Sequence, residues 1–396
     1  MRHFPFPEQG IEEIPKKRYN GFNMWWGAFR VKITKKNFVP LLIFVLLTVL
    51  FHLFSGSKAL MNALADGTLP LRQALGRFCS LFPFSVAEVM GTLGVLAVVA
   101  WLVWTVVSVC RGKPRWRVLL KRLSLLLTVA AGLYFLLCVM LGASLRADGF
   151  QDRSGIRTQP EPTQALKDTC AFFAARLWET ADAVPRNEDG TFAVPKEQLF
   201  DDSVNVYGGA EALFPFLRMK AVKPKQAFYS RLMSRVNFTG YYFPYMGEAT
   251  VNVDIPLAML PSTIAHEMAH QRGVAFENEA NFVAILACAE SGNAAYAYSG
   301  WLLGFIHLVN ALYKVDPGAY YEVASMAPPK AWADIQANND YWAQFETKEA
   351  EVTEKVYDSM LKSYGESLGV QSYGAVADLL IEWYLEGRFG EVKASS

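Results

Sequence analysis

Along the first third of the chain, polar positions all but vanish in three stretches. Residues 37–54, 90–110 and 123–145 contain no Asp, Glu, Lys or Arg. A helix that crosses the hydrocarbon core needs roughly 17–25 such residues, so each stretch reads as a transmembrane helix. The first is the shortest and includes Pro40 and His52. Beyond residue 145 the pattern becomes that of a folded domain. Residues 149–162, with Gly155, Pro160 and Pro162, read as a linker. Residues 163–180 set Ala165, Leu166, Cys170, Phe173 and Leu177 along one side of a helix. A loop over 184–197, a helix over 226–235 and an extended stretch over 240–253 follow, residues alternating from Gly247 to Val253. Helical patterns then cover 258–272, 276–291, 295–314, 343–365 and 373–386. The apolar run 301–312 is short and holds His307 and Asn310, so it reads as a core helix and not as a fourth span.

Charge gives the stretches a direction. Residues 1–36 carry eight Lys/Arg and residues 111–122 carry six with no acid, whereas 55–89 carry three. Basic flanks stay on the cytoplasmic side. The expected organisation is a cytoplasmic segment 1–36, a membrane region 37–145 and an extracytoplasmic domain 146–396. That last part holds 21 basic and 32 acidic residues, although the whole chain is at +1. An acidic outer domain argues against nucleic acid or an anionic lipid surface as its partner, while the apolar stretches make the lipid bilayer an expected partner of the membrane region. Hydrophobic types make up 52% of residues and charged ones 19%, too apolar for a disordered chain and too charged for membrane helices alone. The five cysteines include no CxxC pair, which disfavours a cysteine zinc ribbon. Cys170 and Cys288 both fall in the outer domain, where a disulfide is chemically permitted, although the apolar helix around Cys288 favours a buried thiol.

One motif carries chemistry. His266-Glu267-x-x-His270 places two imidazoles at i and i+4, on one face of a helix, where both can reach one metal ion. Glu267 lies beside them, placed to take a proton from a water molecule on that metal. Zn2+ suits neutral imidazole and carboxylate donors and keeps a position open for water. The third ligand must come from elsewhere. Gly273 can end the first helix, and Glu277 and Asn281 stand four apart on the next. Glu277 is the preferred carboxylate ligand, with Asn281 supporting a ligand histidine through a hydrogen bond. Glu279 is the alternative ligand. Position 276 is Phe, so a three-histidine HExxHxxGxxH site is disfavoured.

These residues resemble a known family. The stretch 240–249 followed by Asn252, the segment His266 to Gly273, the segment Glu277 to Phe282, and Tyr298-Ser299-Gly300 look like the bacterial membrane family termed domain of unknown function 3810. More distantly the metal motif is similar to gluzincin peptidases, in which a Glu from a second helix joins the HExxH pair. Their ExxxD pattern has Asn281 here in place of the Asp, and the gap from His270 to Glu277 is short. The resemblance implies a multi-pass protein of the bacterial cell membrane. Its fold class is expected to be mixed, with a three-helix transmembrane region and a mainly α-helical α+β zincin-like extracytoplasmic domain. The family itself implies little about substrate; the HExxH chemistry and the gluzincin similarity lead to the expectation of a zinc metallopeptidase acting on a peptide or protein. In zincins an edge strand beside the metal receives the extended substrate, and Gly247, Glu248 and Ala249 are the candidates for that strand. Tyr298, Tyr245 and His307 are candidates for stabilising an oxyanion, Tyr298 foremost, although each also reads as a core residue. The competing reading is a non-catalytic sensor or scaffold whose metal site is structural.

Overall fold

The computed structural model describes residues 37–111, 115–364 and 373–390. The basic segment 1–36, expected in the cytoplasm, and part of the basic loop after residue 111 lie outside the described residues. The protein is mostly helical, with one small mixed sheet.

Four helices open the described chain: α1 (Val39–Phe54), α2 (Lys58–Cys79), α3 (Val86–Arg111) and α4 (Arg115–Leu137), the last prolonged by a π turn at Cys138–Gly142. The stretches Val86–Cys110 and Trp116–Gly142 are long and apolar enough to cross a membrane. α1 is equally apolar but has 16 residues, short of that length. Leu93, Val95, Leu96, Val103, Val106, Leu125 and Val129 on α3 and α4 are all exposed. Core helices of a soluble domain bury such residues, and apolar patches this extensive are rare on monomers in water.

The connection between the first two apolar stretches is not a loop. Most of it is α2, whose Ser57 side chain accepts from Leu60 N at its start. Gly67, Pro70 and Gly76 interrupt its periodicity, which hid the helix in the sequence.

The chain then forms short helices α5 (Phe150–Ser154), within the expected linker, and the long α6 (Thr163–Ala181), followed by α7 (Lys196–Asp202) and α8 (Gly208–Leu213). The region expected as one helix over 226–235 divides between the end of β1 (Lys225–Gln226) and α9 (Ser230–Arg235). The extended stretch is a hairpin: β2 (Gly240–Phe243) turns at residues 244–247 into β3 (Glu248–Val251). The strand order is β1-β3-β2, with β3 antiparallel to β2 and parallel to β1. Gly247 has φ +61, and a Cβ there would meet the Arg72 carbonyl oxygen at 1.8 Å, so only glycine lets the hairpin turn seat against α2.

The remaining helices build the core: α10 (Leu260–Gln271), α11 (Glu277–Ala289), α12 (Ala294–Val315), α13 (Pro317–Ala324), α14 (Pro329–Ala343), α15 (Lys348–Tyr364) and α16 (Tyr373–Leu385). α12 packs on α6, α10, α11 and α16. Its start is fixed by Asn293, whose side chain accepts from Ala295 N and Tyr296 N. Phe173, Phe282, Phe305 and Trp383 fill the space between these helices.

The sheet is bonded to the start of α3. The buried Glu248 carboxylate accepts from Ser85 Oγ at 2.6 Å, Ala87 N at 3.0 Å and Val86 N at 3.1 Å. Glu88 in turn accepts from Phe228 N at 2.8 Å and Tyr229 N at 2.9 Å. A carboxylate at a helix N-terminus satisfies donors that have no partner within the helix and meets the positive end of its dipole.

Candidate metal centre

α10 begins with Pro261 in its first turn and stops before Gly273, whose φ of +88 turns the chain towards α11. The two helices pack against each other, and this brings Glu277, in the first turn of α11, to the His266–His270 face of α10. Ligand atoms of His266, His270 and Glu277 all lie within 4.8 Å of one another. Glu277 Oε2 is 3.2 Å from His266 Nε2, and its Oε1 is 3.8 Å from His270 Nε2.

The outer ring nitrogens are committed. His266 Nδ1 donates to Asn281 Oδ1 at 3.0 Å, and His270 Nδ1 donates to the Val274 carbonyl at 2.7 Å. In the neutral rings both Nε2 atoms therefore carry lone pairs, and they face each other at 3.1 Å. Two lone pairs at that separation repel unless a proton or a metal ion sits between them. This donor set, two imidazole nitrogens and a carboxylate with the opposite ring nitrogens held by oxygen acceptors, fits a zinc ion.

Glu267 is buried, and its Oε2 has no hydrogen-bond partner among the described residues. Burial pushes its carboxyl up to about 8, with Glu277 adding to the rise and His266 opposing it. Burial disfavours the charged form of His266, but the Glu277 hydrogen bond and charge outweigh it and raise the imidazole to about 9. Burial lowers His270. A buried carboxyl group with an unpartnered oxygen and a raised affinity for protons makes Glu267 a candidate for chemistry.

β2 crosses beside this carboxylate. A Cβ on Gly240 would lie 2.4 Å from Glu267 Oε1, so the strand approaches that closely only because residue 240 is glycine. Tyr242, two residues on, stacks on the His270 ring with centroids 6.4 Å apart. His266, Glu277 and Asn281 form part of the wall of a cleft of about 850 Å³. Thr239, at the entry to β2, lines it too, as do Met259, Leu303, Ile306 and His307.

Several expected site residues fall elsewhere. Tyr298 is a core residue: its hydroxyl donates to Asp334 Oδ2, and Arg186 lies over its ring at 4.4 Å. α12 turns it away from the metal group towards the Arg186–Asp334 pair, whose N–O distance is 2.5 Å. Tyr245 donates to the Leu133 carbonyl on α4. Glu279 is not a third ligand, because its carboxylate accepts from Phe150 N at 2.7 Å and Gln151 N at 2.9 Å at the start of α5. Gly247, Glu248 and Ala249 form no edge. Glu248 and Ala249 belong to β3, the buried middle strand, and the strand at the sheet edge beside α10 is β2. Of the three oxyanion candidates, His307 alone lines the cleft, where burial and the nearby His266 lower it to about 4. All five cysteines are free, so Cys170 and Cys288 do not pair.

The fold and site define a mostly helical protein that carries a buried His–His–Glu group at the wall of a cleft, next to helices of membrane-spanning length. Residues 69–381 match the family described as protein of unknown function (DUF3810), and the chain belongs to that family. No curated protein and no solved structure matches it.

Proposed function

We propose that this protein is a membrane-anchored, zinc-dependent peptidase of the zincin type, with its site on the extracytoplasmic side. The observation that carries the reading is the convergence of His266, His270 and Glu277 beside the unpartnered Glu267 carboxylate. A bound zinc ion would supply Lewis acidity, which acidifies water and polarises a carbonyl. His266, His270 and Glu277 would hold it, and Asn281 and the Val274 carbonyl orient the two rings. Glu267 takes the proton from the attacking water and returns it to the leaving amine. Its raised affinity for protons suits that exchange near neutral pH. The outer edge of β2 offers backbone groups to an extended peptide, by strand addition. Three spans are read here from α1, α3 and α4. The basic segments 1–36 and 111–122 are placed in the cytoplasm by the positive-inside bias, and the domain from residue 146 lies outside.

The test uses the full chain purified in detergent. Zinc content and cleavage of a peptide library are measured for the wild type, Glu267→Gln and Glu277→Gln. The expected result is about one zinc per chain in the wild type and Glu267→Gln, and loss of zinc in Glu277→Gln. Cleavage should fall by at least about 100-fold in Glu267→Gln. A wild type that takes up no zinc, or that holds zinc and cleaves nothing in the library while Glu267→Gln behaves identically, favours the scaffold reading instead.

A further inference from the structure

Arg72 on α2 is only 2% exposed. Its Nη2 donates to Ser144 Oγ at 3.1 Å, and its Nε has no partner among the described residues. None of the ion pairs among those residues includes it. Tyr242 is a further hydrogen-bonding neighbour of the guanidinium, but no carboxylate pairs with it directly, and Nε is left open to another acceptor. Arg72 borders a cavity of about 150 Å³, separate from the metal cleft, together with Asn62, Asp66, Ser144, Asp148 and Arg153.

Two cationic and two anionic side chains thus face one small space. Asp148 is engaged by Asn62 at 2.7 Å and Lys58 at 3.4 Å, and Arg153 lies over the Phe216 ring at 4.4 Å. Asp66 is exposed at the cavity's margin. A simple anion drawn to Arg72 would meet the carboxylates, and a simple cation would meet the guanidinia. A ligand with both charges a short distance apart satisfies both sets. The position names a source. Ser144 lies two residues past the apolar stretch Trp116–Gly142, and α2 starts four residues after α1 ends, so the cavity sits where apolar helices end and headgroups would lie.

We propose that this cavity binds the headgroup of a zwitterionic phospholipid, its phosphate on Arg72 and its ammonium towards Asp66. Arginine donates two parallel hydrogen bonds to phosphate oxygens, which suits a phosphodiester held at one end of the site. The inference rests on the membrane placement of the apolar helices and not on peptidase chemistry.

The full chain in detergent is titrated with short-chain phosphatidylethanolamine, short-chain phosphatidylglycerol and inorganic phosphate, by calorimetry. The ethanolamine lipid is expected to bind about tenfold more tightly than the glycerol lipid, and Arg72→Gln to weaken it about tenfold or more. Asp66→Asn, at an exposed position that leaves the fold intact, is expected to remove the preference between the two lipids without abolishing binding. Inorganic phosphate that binds as tightly as the lipid, and displaces it, would replace the lipid with a free anion. An unchanged preference in Asp66→Asn overturns the headgroup assignment even where Arg72→Gln fails to fold. Release of the chain from membranes by alkaline carbonate would sink the membrane placement itself, a separate outcome.

Discussion

His266 Nδ1 donates to Asn281 Oδ1 at 3.0 Å, a bond between two helices that fixes which ring nitrogen faces the metal group. Without it the imidazole could rotate or carry its proton on Nε2, where a zinc ion could not bind. Asn281→Ala is expected to weaken zinc binding by about 10–100-fold, read by competition with a chromogenic chelator. Asn281→Asp keeps the acceptor and should bind at least as tightly as the wild type. Equal affinity in wild type and Asn281→Ala would show that the ring needs no such support.

Gly240 gives β2 its close passage past Glu267. In Gly240→Ala the new methyl would take up the space of the Glu267 carboxyl group, and the flexible end of that side chain must move. Cleavage of a reporter peptide is expected to drop about 100-fold, because small displacements of a catalytic group cost that much. Zinc content should hold, since no ligand is touched. A variant with full activity would mean that the carboxyl position is not critical.

Tyr298 separates structural from catalytic tyrosines. Its hydroxyl supplies one of the donors that satisfy the buried Asp334 carboxylate, together with Arg186 and Phe192 N. Tyr298→Phe is expected to cost about 1–3 kcal/mol of stability, seen as a lower thermal midpoint. Turnover per folded molecule should stay within about twofold of the wild type, because nothing ties this residue to the transition state. A large loss of kcat with an unchanged midpoint would restore a catalytic role.

Burial sets the thiol chemistry of Cys170 and Cys288. It pushes the Cys170 thiol up to about 12 and raises Cys288 further. The reactive species is the thiolate, so both residues stay protonated and unreactive as pH rises from 7 to 9. Alkylation with iodoacetamide followed by peptide mapping should leave both unlabelled in the folded chain over that range, and label both in denaturant. Rapid labelling of either at pH 8 without denaturant would contradict their burial.

The metal group was legible in the sequence wherever its geometry is local. His266 and His270 share a face because an α-helix repeats every 3.6 residues, and the same spacing linked Glu277 to Asn281. The place of Glu267 between them made it the candidate for proton transfer. What local spacing could not supply was direction in space. Glu279 stands two residues from Glu277, and on a helix that separation sends the two carboxylates to different neighbours, the histidines and the start of α5. Tyr298 and His307 lie on one helix, yet only His307 faces the cleft, because the rotation of α12 is set by its packing on α6 and α11. Gly240 was legible only as the start of an extended stretch and Arg72 only as a charge, because the meaning of each depends on contacts with α10 and with Ser144, remote along the chain.

Composition and periodicity by themselves determined that the first third of the chain carries long apolar stretches, that a mostly helical region follows and that a two-histidine motif lies on one helix. Those properties arise from each residue's own preference and from neighbours within a turn. Tertiary structure alone decided that β3 lies in the middle of the sheet and β2 at its edge, that α2 is a helix packed under the hairpin, and that Glu248 ties the sheet to α3. Strand order and helix rotation come from burying apolar faces and satisfying buried polar groups against partners distant in sequence, and no window of neighbouring residues contains that information.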